Sequence, residues 1–126
     1  VKGCLQKAIV KAEAVMARFP MAGQITARAC DIAAQCYHTL GEPKKALEYY
    51  EKIVSNWPDY ENAPEAQFMI GRTFEQLKRA KIIPEADANA RIRSAYERLV
   101  TLYPNSPPAK AARQRLTAYR NQGGRP

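Results

Sequence analysis

The sequence has few of the residues on which catalytic and metal sites depend. His38 is the only histidine among the 126 residues, and there are three cysteines. A single histidine excludes a metal site with two histidine ligands within this chain. The only adjacent glycines are Gly123 and Gly124 near the end of the chain, so a glycine-rich phosphate loop is also missing. We therefore predict that the protein is not an enzyme and binds no cofactor or metal ion.

The odd number of cysteines argues against a disulfide framework. Cys30 falls on the apolar face of a predicted helix, which favours a small buried residue. If the first two helices run antiparallel about Pro20, Cys4 lies near the level of Cys36. A Cys4–Cys36 disulfide is therefore one hypothesis, and three free thiols are the alternative.

Long apolar runs are missing as well. None approaches the ~20 residues that a transmembrane helix needs, so we predict no membrane-spanning segment. Hydrophobic residues make up 46% and charged residues 25%, as in ordinary globular proteins. Alanine is abundant and β-branched runs are absent, which favours helix over strand. The chain begins at Val1 without a signal-peptide pattern, and we expect it to be a segment of a longer protein.

Acidic residues are absent from the last part of the chain, residues 105–126, although the net charge of the whole is +8. The basic residues there are Lys110, Arg113, Arg115, Arg120 and Arg125. A solvated terminal helix is the favoured interpretation, because no aromatic or glycine residues alternate with these charges. Weak binding to an anionic surface or to nucleic acid is the alternative, and we regard nucleic acid as an unlikely partner.

Apolar residues recur at steps of three and four through most of the chain, which predicts six amphipathic helices. The predicted helices cover residues 1–19, 25–40, 44–57, 62–77, 88–103 and 107–121. Gly41 is expected to form a left-handed cap, and Asn62 to cap the fourth helix. Pro84 requires a break in the chain between the fourth and fifth helices.

An aromatic residue followed by proline ends three of these helices, at Pro20, Pro58 and Pro104. The residues 12, 8 and 5 positions before each proline are similar in type. They are Ala46, Tyr50 and Ile53 before Pro58, Ile92, Tyr96 and Leu99 before Pro104, and Ala8, Ala12 and Val15 before Pro20. A chain that repeats its helices in this way is expected to be a stack of similar units.

The pattern resembles the tetratricopeptide repeat. That repeat places a small residue and then an aromatic residue in its first helix, and A-x3-F with a late proline in its second helix. One complete repeat matches at Ala34, Tyr37, Ala46, Tyr50 and Pro58. A second matches at Gly71, Phe74, Tyr96 and Pro104, with about nine extra residues between its helices. Cys30 and Gln67 occupy the position of the family's tryptophan.

The resemblance implies an all-α fold, a right-handed α-α superhelix of about six antiparallel helices. It divides a single domain of residues 1–121 into a half repeat (1–20), a full repeat (24–58), a full repeat with an insertion (62–104) and a capping helix (107–121). Residues 122–126 are expected to form a flexible tail. The long connections after each proline are similar to those of bacterial envelope proteins, namely outer-membrane assembly lipoproteins and periplasmic Tol-associated coordinators. We therefore favour a location in the bacterial cell envelope or periplasm.

The resemblance also implies a partner-binding groove lined by the first helix of each repeat. It assigns to this groove Arg28, Asp31, Gln35 and His38 of the first full repeat and Phe68, Arg72, Glu75 and Gln76 of the second. Phe68 lies beside the core stripe, so it is either an exposed aromatic anchor or is covered by a loop or neighbouring helix. Arg28 and Arg72 either bind a partner carboxylate or pair with Asp31 and Glu75 within their own helices.

These observations predict a protein-interaction scaffold that binds a peptide or a partner helix in the groove. A second hypothesis is a structural segment that associates with itself through its unpaired end helices. A third is the binding of an anionic surface or nucleic acid through the basic terminal helix.

Overall fold

The computed structural model describes residues 2–18 and 23–123, together with their side chains up to residue 119. Six α-helices account for most of this part of the chain, and no strand occurs in it. They are α1 (Lys2–Arg18), α2 (Gln24–Thr39), α3 (Pro43–Asn56), α4 (Ala63–Arg79), α5 (Glu85–Leu102) and α6 (Pro107–Gly123). The all-α helical repeat fold is thus confirmed. The chain forms two compact units, Val1–Ala66 and Gln67–Pro126.

In the first unit, α2 packs against α1 on one side and against α3 on the other. Small residues allow this close approach, because Ala27, Cys30 and Ala34 are completely buried. The thiol of Cys30 lies 3.2 Å from the sulfur of Met16 on α1. The larger core side chains of this unit are Ile9, Met16, Tyr50 and Ile53. Burial of such apolar side chains, each worth about 1.5–3 kcal/mol, is the main stabilising contribution of this core.

In the second unit, α5 packs against α6 and also contacts α4. α4 approaches α5 closely at Gly71, where a Cβ atom would overlap the ring of Tyr96. Gly71 therefore takes the small-residue position predicted for it. The amide of Gln67 strengthens the same contact by donating to the Ala95 carbonyl at 2.9 Å. The rest of the core includes Ile70, Phe74, Leu77, Ile92, Leu99, Ala109, Ala112 and Leu116.

Two helices end in a residue with left-handed backbone geometry. Gly41 follows α2 with φ 80°, as predicted, and its N–H and that of Glu42 donate to the carbonyls of His38 and Tyr37. Lys81 follows α4 with φ 59°. Its N–H donates to the Lys78 carbonyl, and the N–H of Ile82 donates to the Leu77 carbonyl. Both are Schellman motifs, but only the first has the glycine that the geometry favours.

The nine residues inserted in the second full repeat mostly lengthen its helices. Relative to the first repeat, α4 runs three residues further past the aligned leucine, Leu77, and α5 is four residues longer than α3. Only two of the extra residues enlarge the connection, which covers residues 80–84. Pro84 lies immediately before α5, so the predicted break is confirmed, but α5 begins at Glu85 rather than near Ala88.

Two residues differ from the predictions in their burial. Cys4 and Ile32, which the helical pattern assigned to apolar stripes, are exposed. All three cysteines are free, and Cys4 lies on the surface whereas Cys36 is buried, so the alternative of three free thiols describes the structure and the Cys4–Cys36 bridge is not formed. The aromatic-proline pair Phe19–Pro20 and the tail beyond residue 123 lie outside the described residues.

Candidate functional site

In the first unit, the carboxylate of Asp31 organises the exposed side of α2. Asp31 is buried and accepts hydrogen bonds from the Gln35 amide at 2.9 Å and the Tyr60 hydroxyl at 3.2 Å. The Asn62 amide donates to it more weakly, at 3.4 Å. Burial and the neighbouring Asp31 charge raise the pKa of Tyr60, so its hydroxyl stays a donor. One carboxylate thus fixes the segment before α4 on the surface of α2.

The predicted cap at Asn62 takes a different form. Its carbonyl accepts the first backbone hydrogen bond of α4, from the Ala66 N–H at 2.9 Å. Its side chain turns to Asp31 on α2 instead of capping the helix. Local sequence preference therefore gives the position of the helix start, whereas a tertiary contact decides what the side chain does.

A pocket of about 610 Å³ lies beside this carboxylate. Its lining residues are Gln24, Arg28, Asp31, Ile32, Gln35, Tyr60, Glu61 and Asn62. Three of the residues predicted for the groove, Arg28, Asp31 and Gln35, come together here. Arg28 and Gln35 are exposed, and Asp31 forms the buried floor. The fourth, His38, is half-buried further along α2 and does not line this pocket.

The pocket offers hydrogen-bonding groups of both kinds around one apolar side chain. Gln24, Gln35 and Asn62 carry amides that donate and accept, and Arg28 adds a cation. Ile32, 42% exposed, supplies the apolar wall. Such a surface offers hydrogen-bonding partners for the amide groups of an extended peptide and an apolar contact for one of its side chains.

In the second unit, Glu75 plays a similar organising role for α4. It is buried, and its carboxylate accepts both contacts of the Arg115 guanidinium, at 2.7 and 3.0 Å. The hydroxyls of Tyr96 and Tyr119 each donate to it at 3.0 Å. Arg72, its predicted intrahelical partner, lies 3.9 Å away. Glu75 is thus a link between α4, α5 and α6 and is largely withdrawn from the surface.

The Glu75 carboxylate also affects the tyrosines that bind it. Burial, followed by the charge and hydrogen bond of Glu75, raises the pKa of Tyr119 to about 12. The pKa of Tyr96 is raised further for the same reasons. Both hydroxyls therefore remain protonated donors throughout the physiological pH range.

A second, smaller pocket of about 230 Å³ opens next to Glu75. It is lined by Arg72, Glu75, Lys78, Arg79, Arg115 and Tyr119. Four of these six residues are cationic, so the pocket is strongly basic despite the carboxylate in its wall.

Phe68 is half-buried rather than an exposed anchor. Its ring lies 5.6 Å from that of Tyr96 in a tilted arrangement. The guanidinium groups of Arg72 and Arg115 lie 5.9 and 5.8 Å from the ring centre, within the range of cation–π contacts. The alternative expectation, cover by a neighbouring helix, therefore describes Phe68 better. Gln76 is also half-buried and lies outside the basic pocket.

The sequence did not single out Tyr60, Asn62, Arg115 or Tyr119 as site residues. Tyr60 and Asn62 follow a proline in a connection, and Arg115 was counted only among the charges of a solvated helix. Arg115 and Tyr119 are four residues apart, so they lie on one face of α6, and that spacing was the available signal. The spacing does not indicate which helix Arg115 and Tyr119 contact.

A further polar cluster joins the three helices of the first unit. The rings of Tyr37 and Tyr49 stack with centroids 5.8 Å apart, and Tyr49 donates to Glu13 on α1 at 2.6 Å. Lys45 lies over the Tyr37 ring at 5.3 Å. Burial first, and then the Glu13 charge, raise the pKa of Tyr37. This cluster holds α1, α2 and α3 together at the surface.

Residues of the basic terminal helix have separate roles. Arg115 is engaged with Glu75, and Arg113 donates to the Pro104 carbonyl at 2.5 Å. Lys110 is exposed. The Arg120 side chain and Arg125 lie outside the described part of the chain.

No helix in the described ranges combines the length and apolar character required to cross a membrane. Within the same ranges, no three histidine, cysteine, aspartate or glutamate side chains lie together as a metal site would require.

Paired helices with a small residue and an aromatic residue at the repeated positions define a helical repeat protein of the tetratricopeptide type. Residues 1–123 match the YfiO family of outer membrane lipoproteins, and the chain belongs to this family. This family is involved in outer-membrane assembly. The resemblance of the sequence to outer-membrane assembly lipoproteins predicted this membership. A search of curated proteins finds no match.

Membership of this family confirms the predicted location in the bacterial cell envelope. Proteins of the YfiO type are non-enzymatic scaffolds, and the family implies protein partners in outer-membrane assembly. The role of the chain is therefore one of protein interaction in that process.

Proposed function

We propose that this chain is an interaction scaffold that binds a peptide or partner helix on the exposed face of α2. The observation that carries the proposal is the pocket beside Asp31. It brings Arg28, Asp31 and Gln35 together with polar groups of the segment that precedes α4. These groups match the backbone of an extended peptide, with Ile32 for an apolar side chain and Arg28 for a carboxylate.

The buried carboxylate has a positioning role in this proposal. Asp31 does not reach the partner itself but holds Gln35, Tyr60 and Asn62 in fixed directions. Groups held in place before binding lose less conformational entropy when the partner arrives. Loss of Asp31 should therefore weaken binding without removing any direct contact.

Site-specific photo-crosslinking in cells tests the proposal. A photoreactive amino acid at Gln35 should form an adduct with an outer-membrane assembly protein, identified by mass spectrometry. The same amino acid at Lys52, exposed on α3, is the control and should give no such adduct. The additional change Arg28→Ala should reduce the Gln35 adduct several-fold. Equal adducts at Gln35 and Lys52 would contradict the proposal.

Self-association is a second candidate, because α1 and α2 leave an apolar groove open. The groove has a volume of about 370 Å³, and Ile25 and Ile32 line it with 60% and 42% exposure. Exposed apolar grooves of this kind are common contact surfaces of helices. Light scattering over a range of concentrations should detect a dimer, and Ile25→Lys should abolish it. A monomer at all concentrations would remove this candidate.

A further inference from the structure

The basic pocket next to Glu75 has chemistry that differs from that of the pocket next to Asp31. Arg72, Lys78, Arg79 and Arg115 surround a space of about 230 Å³. One carboxylate, that of Glu75, lies in its wall. The positive charge therefore exceeds the negative charge within a small, partly enclosed volume, where ionic interactions are stronger than in bulk water.

The carboxylate of Glu75 offsets only one of the four positive charges around the pocket. Hydrogen bonds from Tyr96, Tyr119 and Arg115 occupy both oxygens of Glu75. Arg72 stays at 3.9 Å, beyond hydrogen-bonding distance, with its side chain 44% exposed. Its guanidinium therefore keeps donors for another acceptor.

Arg79 and Lys78 are also available to a ligand. Arg79 is exposed in the last turn of α4. Lys78 lies 5.3 Å from the Tyr119 ring and 3.9 Å from Glu85, whose side chain is 77% exposed. A surface ion pair of that kind contributes little energy, so a ligand can displace it.

We infer that this pocket binds a carboxylate of the partner polypeptide, such as a glutamate side chain. This inference rests on the proposed scaffold function, because it names a chemical feature of the partner. The planar guanidinium group of Arg72 matches a carboxylate, to which it can donate two parallel hydrogen bonds. Arg115 stays paired with Glu75 and adds positive charge to the pocket. The ring of Phe68, which lies under both guanidinium groups, offers an apolar surface to the methylene groups of glutamate.

The size of the pocket disfavours a large anionic ligand. Pockets for drug-sized ligands or cofactors have volumes of about 300–1,000 Å³, so this one suits a single side chain. The net positive charge attracts a carboxylate and a phosphate alike, and the apolar Phe68 ring beside the guanidinium groups favours a carboxylate carried on methylene groups.

The test uses two synthetic peptides and nuclear magnetic resonance. The probes are an acetylated and amidated hexapeptide of alternating glutamate and alanine, and its counterpart with glutamine in place of glutamate. The glutamate peptide should shift the side-chain Nε–H signal of Arg72, and the glutamine peptide should not. Inorganic phosphate is a third probe. Stronger perturbation by phosphate than by the glutamate peptide would overturn the assignment to a carboxylate.

Two variants with the same change in charge distinguish binding in the pocket from a general attraction of the acidic peptide to the basic protein. Arg72→Gln should weaken binding of the glutamate peptide about tenfold, because hydrogen bonds to charged groups are lost. Arg98→Gln, at an exposed position of α5 outside the pocket, should weaken it less than about twofold, since distant charges are screened. Equal losses in the two variants would mean that only the overall charge matters.

The same variants distinguish this inference from the proposed function. If Arg72→Gln abolishes peptide binding but the Gln35 crosslink to the assembly partner persists, the carboxylate site exists and is not needed for that partner. If the crosslink forms but the glutamate peptide produces no shifts, the scaffold function holds and the carboxylate site is overturned. Shifts of Arg72 without any crosslink would overturn the scaffold function alone.

Discussion

Single residues set the distances between helices in this protein. Gly71 is the clearest case, since three atoms of the Tyr96 ring occupy the space of its missing side chain. Tyr96 is completely buried and donates to Glu75, so its ring has little freedom to move. Two buried acids, Asp31 and Glu75, have a comparable effect on polar groups, because each gathers several donors from neighbouring segments.

We expect Gly71→Ala to destabilise the second unit by about 1–3 kcal/mol. The added methyl group overlaps the Tyr96 ring, and overpacking of this kind exceeds the ~1 kcal/mol by which alanine favours a helix over glycine. Gly3→Ala is the matched control, since a Cβ atom at Gly3 meets nothing within 4 Å. Urea unfolding should show a lower midpoint for Gly71→Ala and an equal or higher midpoint for Gly3→Ala. Similar midpoints for both variants would contradict the close contact.

Glu75→Gln should lower the free energy of unfolding by about 1–3 kcal/mol, because the Arg115 guanidinium loses its charged partner in a partly buried place. It should also lower the pKa of Tyr119 from about 12 towards the ordinary value of 10. The pKa should stay above 10, since burial is the largest cause of the shift. Carbon NMR of labelled tyrosine measures this pKa, and urea unfolding measures the stability. Glu97→Gln, exposed on α5, should change neither.

At the scale of helices, the two full repeats differ in how the first helix of each one ends. Both ends are Schellman motifs, but Gly41 occupies the left-handed position after α2 and Lys81 the one after α4. The insertion in the second repeat shifts this end by three residues relative to the repeat pattern. The lysine shows that the hydrogen bonds and the following chain impose the geometry even without the favoured residue.

Lys81→Gly should stabilise the protein by about 0.5–1 kcal/mol, because glycine adopts positive φ without the steric cost that lysine bears. Gly41→Ala, the reciprocal change at φ 80°, should destabilise it by about 1 kcal/mol. Thermal unfolding of the two variants should therefore shift in opposite directions. A lower melting temperature for Lys81→Gly would show that the lysine side chain stabilises the protein by more than its backbone geometry destabilises it.

At the scale of the whole molecule, tyrosine ionisation links the fold to pH. Six tyrosines in the described residues have raised pKa values, with burial as the largest cause in each. The folded state therefore favours the protonated hydroxyls more than the unfolded chain does. The resulting stabilisation is complete below pH 10 and decreases as the pH rises through the folded-state values, about 12 for Tyr119.

We accordingly expect the urea midpoint to fall steeply between pH 10 and pH 12. Absorbance at 295 nm should show the tyrosinate signal appearing together with unfolding. The same titration in concentrated urea should give an ordinary pKa near 10 for all tyrosines. A stability that does not change between pH 9 and pH 12 would contradict the burial of these hydroxyls.

Much of the fold was predictable because helix formation and helix ends depend on nearby residues. The three- and four-residue apolar period, the prolines and Gly41 located six helices and most of their ends within a few residues. The repeated small and aromatic positions predicted the repeat class, and Gly71 and Tyr96 indeed meet. The longer connection predicted for the second repeat was placed correctly, although most of its extra residues are helical.

The candidate site was predictable only in part. The sequence determined that Arg28, Asp31 and Gln35 share one face of α2, because the helical period alone sets which residues are neighbours. The tertiary structure decided that Asp31 and Glu75 are buried rather than exposed, and that Arg115 and Tyr119 of α6 complete a basic pocket on α4. The reason is physical: residues 40 or more positions apart meet only through packing, which depends on side-chain volumes across several helices at once.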